Sequence, residues 1–80
     1  MQAYVADFPP RAPGETSEHF HEGAEFLFLL AGELAIQFEG EEHELREGDS
    51  VYFDSSEPHR YRGLAEAGAR AVVITFPPRI

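Results

Sequence analysis

His19, His21, Glu25 and His59 are the residues of this chain whose types and spacing suit chemistry, because three imidazoles and a carboxylate make a full hand of metal ligands in a sequence without cysteine. On a β-strand residues i and i+2 point to the same face, so an extended His19-Phe20-His21 aims both rings at one point. Glu22-Gly23-Ala24 then reads as a turn that returns the chain and lets Glu25 face the two imidazoles. His21 and Glu25 also stand four apart, as on a helix, but Gly23 and the unbroken aliphatic and aromatic run after Glu25 argue for strand. Imidazole suits zinc, copper, iron and nickel, and a carboxylate tilts the set toward harder ions. The expected occupant is therefore one divalent first-row transition metal ion, with iron, manganese, zinc, nickel, cobalt and copper all compatible. Four protein ligands leave open positions in a six-coordinate shell for water, dioxygen or a substrate. His43, set between glutamates on a hairpin arm, reads as a bystander.

The elements that must position these side chains are short strands. Glycine and proline punctuate the chain at even intervals, and the segments between them are strand-length and rich in Phe, Leu, Val, Ile and Tyr. A first strand is expected over residues 4–8, ended by Pro9-Pro10, and extended structure resumes over 16–21. Residues 25–31 form a nearly continuous apolar run, as in a strand covered on both faces, and Gly32 is expected to turn the chain into a second strand over 33–38. In that second strand Leu34, Ile36 and Phe38 should face inward. Glu39-Gly40 is a two-residue hairpin candidate leading to residues 41–45, and Arg46-Glu47-Gly48-Asp49 is a turn into 50–53. A polar loop over 54–58 precedes extended residues 59–61, and 69–76 form the final strand before Pro77-Pro78. No segment has a convincing helical period.

Composition narrows the function classes. Eighty residues make one domain, and 42% hydrophobic residues with seven Phe and three Tyr supply a core. A formal net charge of -9 opposes a phosphate backbone, so nucleic-acid binding by this domain alone is not expected. The absence of cysteine excludes disulfides, thiolate-held zinc and a thiol nucleophile, and accords with a cytoplasmic location. Residues 1–7 have neither a basic nor an apolar region of the secretory type, and the longest apolar stretch, residues 26–31, is far short of the about 20 residues that span a bilayer. No membrane partner is expected.

The order of Gly14, His19-Phe20-His21, Glu25 and Gly32, followed by Gly48 and His59, resembles the two motifs of the cupin superfamily. Asp54 and Ser56 replace the Pro and Gly of the second motif, and Gly63 stands where Asn is usual, but the four ligand types are kept. The resemblance implies an all-β, cupin-type jelly-roll barrel over roughly residues 14–76, with the metal held by His19, His21, Glu25 and His59. Residues 47–56 and Pro58-His59-Arg60-Tyr61-Arg62 are also similar to the cupin domain that follows a helix-turn-helix in many bacterial regulators. The chain thus reads either as a stand-alone small cupin or as the ligand-sensing part of a regulator.

The pocket is expected to be mostly apolar, formed by Phe28, or Leu27 and Leu29 in the other register, with Leu34, Ile36, Phe38, Phe53 and Tyr61. The sequence has no lysine, and Tyr61, on the same face of a strand as His59, is the one neighbouring acid outside the ligand set. Arg60 and Arg62 alternate to the other face, toward solvent or a subunit contact. A metal-dependent small-molecule sensor is the first reading, and a metalloenzyme of dioxygenase or isomerase type, acting on an organic substrate at the open metal positions, is the second. The Phe26-Leu27-Phe28-Leu29-Leu30 run is apolar on both faces, which calls for a homodimer, or failing that for cover by residues 4–8.

Overall fold

The computed structural model describes residues 1–12, 15, 22–38, 40–64 and 66–76, and among these every regular element is a strand. The strands are β1 (Gln2–Phe8), β2 (Ala24–Phe38), β3 (Glu41–Arg46), β4 (Ser50–Asp54), β5 (His59–Gly63) and β6 (Ala69–Phe76). All pairings between them are antiparallel. The first half of β2 lies between β6 and β4, with β1 beyond β6, and the second half lies between β3 and β5. These are the two facing sheets of a jelly-roll barrel, as expected for short strands with no helical period.

β2 corrects one expectation. Gly32 does not end a strand. The element runs unbroken for 15 residues, shifts register between Leu29 and Ala31, and crosses from one sheet to the other. Gly32 takes φ +81, which bends the strand without reversing it, and a Cβ there would collide with the carbonyl oxygen of Gly68. The sequence signal for a turn was the glycine; the physical need is a bend and a close backbone approach.

The other boundaries follow the alternation and the turn residues. Phe38 pairs with Glu41 across a two-residue connection in which Gly40 has φ +80, as the hairpin reading requires. Asp49 N donates to Arg46 O at 2.9 Å and Arg46 N to Asp49 Oδ2 at 2.8 Å, which closes the turn before β4. The barrel is sewn shut where β1 leaves its sheet. Pro10 bridges to Gly63, Gly63 N donates to Pro9 O at 3.1 Å, and Arg11 N donates to Gly63 O at 3.3 Å. Any Cβ on Gly63 would meet backbone of Phe8, Pro9 and Gly68, so glycine is required by space at this crossing. The strand expected over 16–21 and the Pro77-Pro78 stop lie outside the described residues.

Leu27, Leu29, Leu34, Ala69, Ala71 and Val73 form the core cluster, with Phe8, Leu45, Val51 and Tyr61 packed against it. Glu25, Leu27 and Leu29 are buried whereas Phe28 and Leu30 are 38% and 39% exposed, which settles the register of β2: the odd-numbered residues of its first half point inward. On the outside of the second sheet, Arg62 Nε and Nη2 grip Glu42 at 2.8 Å each, spanning β2 where it carries the small, buried Ala35. Arg62 is thus paired rather than free in solvent, and its hydrogen bonds hold the Glu42 carboxyl below the usual carboxylate range.

Candidate metal centre

Glu25 is the second residue of β2 and His59 the first of β5, so one donor comes from each sheet. Both are buried, at 2% and 1% exposure, where an unpartnered charge would be costly. The loop before β5 brings His59 to Glu25. Asp54 accepts hydrogen bonds from Ser56 Oγ at 2.7 Å and Ser56 N at 2.9 Å, which keep its carboxyl below the usual range, and Ser55 N donates to Gly23 O at 3.0 Å. That last bond ties the loop to the turn immediately before β2. Three rings then frame the imidazole: Phe53 edge-on at 4.8 Å, Tyr61 at 5.5 Å and Phe38 at 6.3 Å between centroids.

His59 Nδ1 lies 2.9 Å from the carbonyl oxygen of Glu57. A carbonyl only accepts, so Nδ1 carries a proton, and in the neutral imidazole Nε2 is then the nitrogen with the lone pair. This is the arrangement that orients a ligating imidazole. Nε2 stands 4.0 Å from Glu25 Oε2, beyond hydrogen-bond reach but within the span of two donors that share an ion at about 2.0 to 2.2 Å from each. Oε2 also accepts a hydrogen bond from the Tyr61 hydroxyl. A cavity of about 120 Å³ opens beside this group, with Glu25, His59 and Tyr61 on one side and Tyr4, Ala6, Phe8 and Val73 on the others. The donor types, their burial and the fixed tautomer fit a divalent metal ion.

Of the four residues singled out by sequence, Glu25 and His59 are thus brought together; His19 and His21 lie outside the described residues. Among the described residues no group of three or more His, Cys, Asp or Glu converges. His43 sits exposed on β3, its ring 6.2 Å from Phe38. The cavity walls meet the expectation in part: Tyr61 lines the cavity, and Phe38 and Phe53 pack on the His59 ring. Leu27, Leu29, Leu34 and Ile36 pack in the core below, and the other walls come instead from β1 and β6, whose inward Tyr4, Ala6, Phe8 and Val73 the sequence reading missed. The alternation of Tyr4, Ala6 and Phe8 was the available signal, since residues two apart share a face. Two buried hydroxyls, Ser55 Oγ and Thr75 Oγ1, have no hydrogen-bond partner among the described residues, and Thr75 is the cross-strand neighbour of Glu25 on β6.

Known proteins share this architecture. The family described as Cupin domain matches residues 4–75. The tetracenomycin polyketide synthase protein TcmJ of Streptomyces glaucescens is 32% identical over 68 residues, covering 82% of this chain and 46% of its own length. Polyketide synthase CurC of Streptomyces cyaneus is 34% identical over 67 residues, covering 81% and 44%. The chain therefore spans less than half the length of these relatives. Hydroxypropylphosphonic acid epoxidase from S. wedmorenis, in complex with fosfomycin, superposes with a TM-score of 0.82 at 26% identity over 92% of this chain and 42% of that one. Its Fe(II) form superposes with a TM-score of 0.83 at 26% identity, again over 92% and 42%, and a Co(II) form with substrate is also known. With the family match spanning nearly the whole chain and the barrel shared with these structures, the chain belongs to the cupin family.

Proposed function

We propose that this domain holds one divalent transition metal ion through His19, His21, Glu25 and His59 and acts on a small organic molecule in the adjoining cavity, in the manner of a small metalloenzyme of polyketide-type metabolism. The observation that carries this reading is the buried His59 imidazole, its Nδ1 held by the Glu57 carbonyl and its Nε2 facing the buried Glu25 carboxylate beside the cavity. When bound, the ion would supply a Lewis-acid centre with open positions. The chain's own contribution is placement: Glu25 and His59 hold the ion, Tyr4, Phe8 and Tyr61 offer rings against which an unsaturated ligand packs, and Ala6 and Val73 leave room for it. The polyketide synthase proteins among the relatives and the Fe(II) epoxidase among the structural neighbours support chemistry on an organic substrate. A sensor that binds without converting is the second reading, favoured by the apolar character of Ala6, Phe8 and Val73 around the donors.

Elemental analysis of the purified protein tests the metal. About one equivalent per chain is expected, with Glu25→Ala and His59→Ala each losing most of it and a chelator lowering the melting temperature of the native protein. Full-length chain that takes up neither Fe(II), Co(II) nor Zn(II) would overturn the reading. Incubating the loaded protein with phenolic polyketide analogues separates the two functions: product formation supports the enzyme, and a ligand-induced spectral change without product supports the sensor.

The proposal includes a homodimer. The outer face of the larger sheet sets Val5, Val72 and Phe28 in one row and Ala3, Ile74, Phe26 and Tyr52 in the next. Val5, Phe28, Leu30, Tyr52 and Phe76 are 59%, 38%, 39%, 68% and 39% exposed. β1 does not cover this face; it adds to the same sheet beside β6 and enlarges it. A second copy related by a two-fold axis is the simplest cover. Light scattering is expected to give twice the chain mass, and a monomer at micromolar concentration would refute it.

A further inference from the structure

We infer that Tyr61 is the positioning residue of this centre, its hydroxyl fixing the rotation of the Glu25 carboxylate. The inference rests on the metal reading and goes beyond it by assigning a role outside the ligand set. Tyr61 stands two residues after His59 on β5, on the same inward face, and its hydroxyl donates to Glu25 Oε2, the oxygen that also faces His59 Nε2. A hydrogen bond from a neutral donor leaves the carboxylate its charge while restricting which way it turns, the usual effect of an outer partner on a ligating group. The hydroxyl is itself held. The ring packs against Phe8 at 5.0 Å and a 49° tilt, and meets His59 edge to face at 5.5 Å and 75°. Through these contacts β1, β5 and the donor pair form one packed unit, so the phenol cannot swing from Glu25 without disturbing both rings. The apolar body of the ring also joins the core, which explains how a tyrosine with a polar tip belongs at a wall between the Glu25–His59 pair and the apolar Ala6, Phe8 and Val73.

The test is Tyr61→Phe, which keeps the ring and its packing and removes the hydroxyl. Co(II) titration of native and variant full-length protein, followed by the visible absorption of the bound ion, reads affinity and ligand geometry together. Native protein is expected to bind Co(II). Y61F is expected to bind it about tenfold more weakly, with a shifted visible spectrum, because the released carboxylate changes its mode of contact. A purely structural role for Tyr61 would lower the melting temperature and leave the spectrum of the bound ion unchanged. If native protein binds Co(II) and Y61F matches it in affinity and spectrum, this inference fails and the metal reading stands. If native protein binds no Co(II), Zn(II) or Fe(II), the metal reading fails and takes the inference with it. Should Y61F not fold, native protein carrying ¹³C at the tyrosine Cζ answers the same question. Zn(II) loading is expected to shift the signal that persists in both Tyr4→Phe and Tyr52→Phe, and a signal that does not move on Zn(II) loading overturns the inference.

Discussion

Thr75 has a fully buried hydroxyl with no partner among the described residues, beside Glu25 in the ladder. Burying a hydroxyl without a hydrogen bond costs on the order of 1 to 3 kcal/mol, and valine has nearly the same shape without the oxygen. Thr75→Val is therefore expected to stabilise the metal-free protein by about 1 kcal/mol, or a rise in Tm of about 5 °C for a domain of this size. A lower Tm in T75V would show that the hydroxyl has a partner in solution. The Glu42–Arg62 pair makes a pH-dependent prediction. Arg62 lowers the folded-state value of Glu42 below its ordinary 4.5, so the pair's contribution is fully present above 4.5 and is lost as pH falls through the depressed value. Being partly exposed, the pair is worth about 0.5 kcal/mol. Glu42→Gln should melt slightly below the native protein at pH 7 and alike at strongly acid pH; a gap that widens with acid would mean the sign is reversed.

At the level of strands, two glycines separate backbone conformation from space. Gly48 has φ +90 and open space within 4 Å of the point where a methyl group would project, so Gly48→Ala should cost only the left-handed penalty of about 1 kcal/mol. Gly63 lies at the crossing of β5 with the chain leaving β1, where a Cβ would meet three backbone atoms. Gly63→Ala should cost about 3 kcal/mol or more, because none of those atoms can yield without breaking the bridge to Pro10. Urea midpoints of the two variants check this, and equal losses would mean that the crossing relaxes to admit a methyl group. The same crossing accounts for glycine at the position where the family motif usually carries asparagine. The barrel is closed there by backbone, and a side chain has nowhere to go.

For the molecule as a whole, the apolar outer face carries the proposed dimer. Phe28 lies at its centre, between Val72 and Ser50, and Phe28→Asp would place a charge in the middle of the proposed isologous contact. Light scattering on F28D is expected to give the monomer mass where the native protein gives the dimer. Near-native far-UV circular dichroism in the variant would show that the barrel itself survives, since the residue points away from the core. A dimer that persists in F28D would place the contact elsewhere.

The strands of this barrel were legible in the sequence because alternation and the glycine and proline breaks are local signals. Residues 69–76 and the hairpin at Gly40 were found at their observed bounds, and the pairing of Glu25 with His59 was anticipated from residue type and motif order. Local patterns left the register of 26–30 open, since an apolar run looks the same from both faces, and only pairing with β4 and β6 turned Leu27 and Leu29 inward. They also misread Gly32, where a bend and a turn carry the same residue. Alternation marks Tyr4, Ala6 and Phe8 as one face of β1, but that this face walls the cavity, and that Tyr61 bonds to Glu25, 36 residues away, were beyond any local signal. Both exist because closing the barrel lays β1 against β5 and faces the two halves of the chain across one interior, and that is a property of strand order in space rather than of any segment read alone.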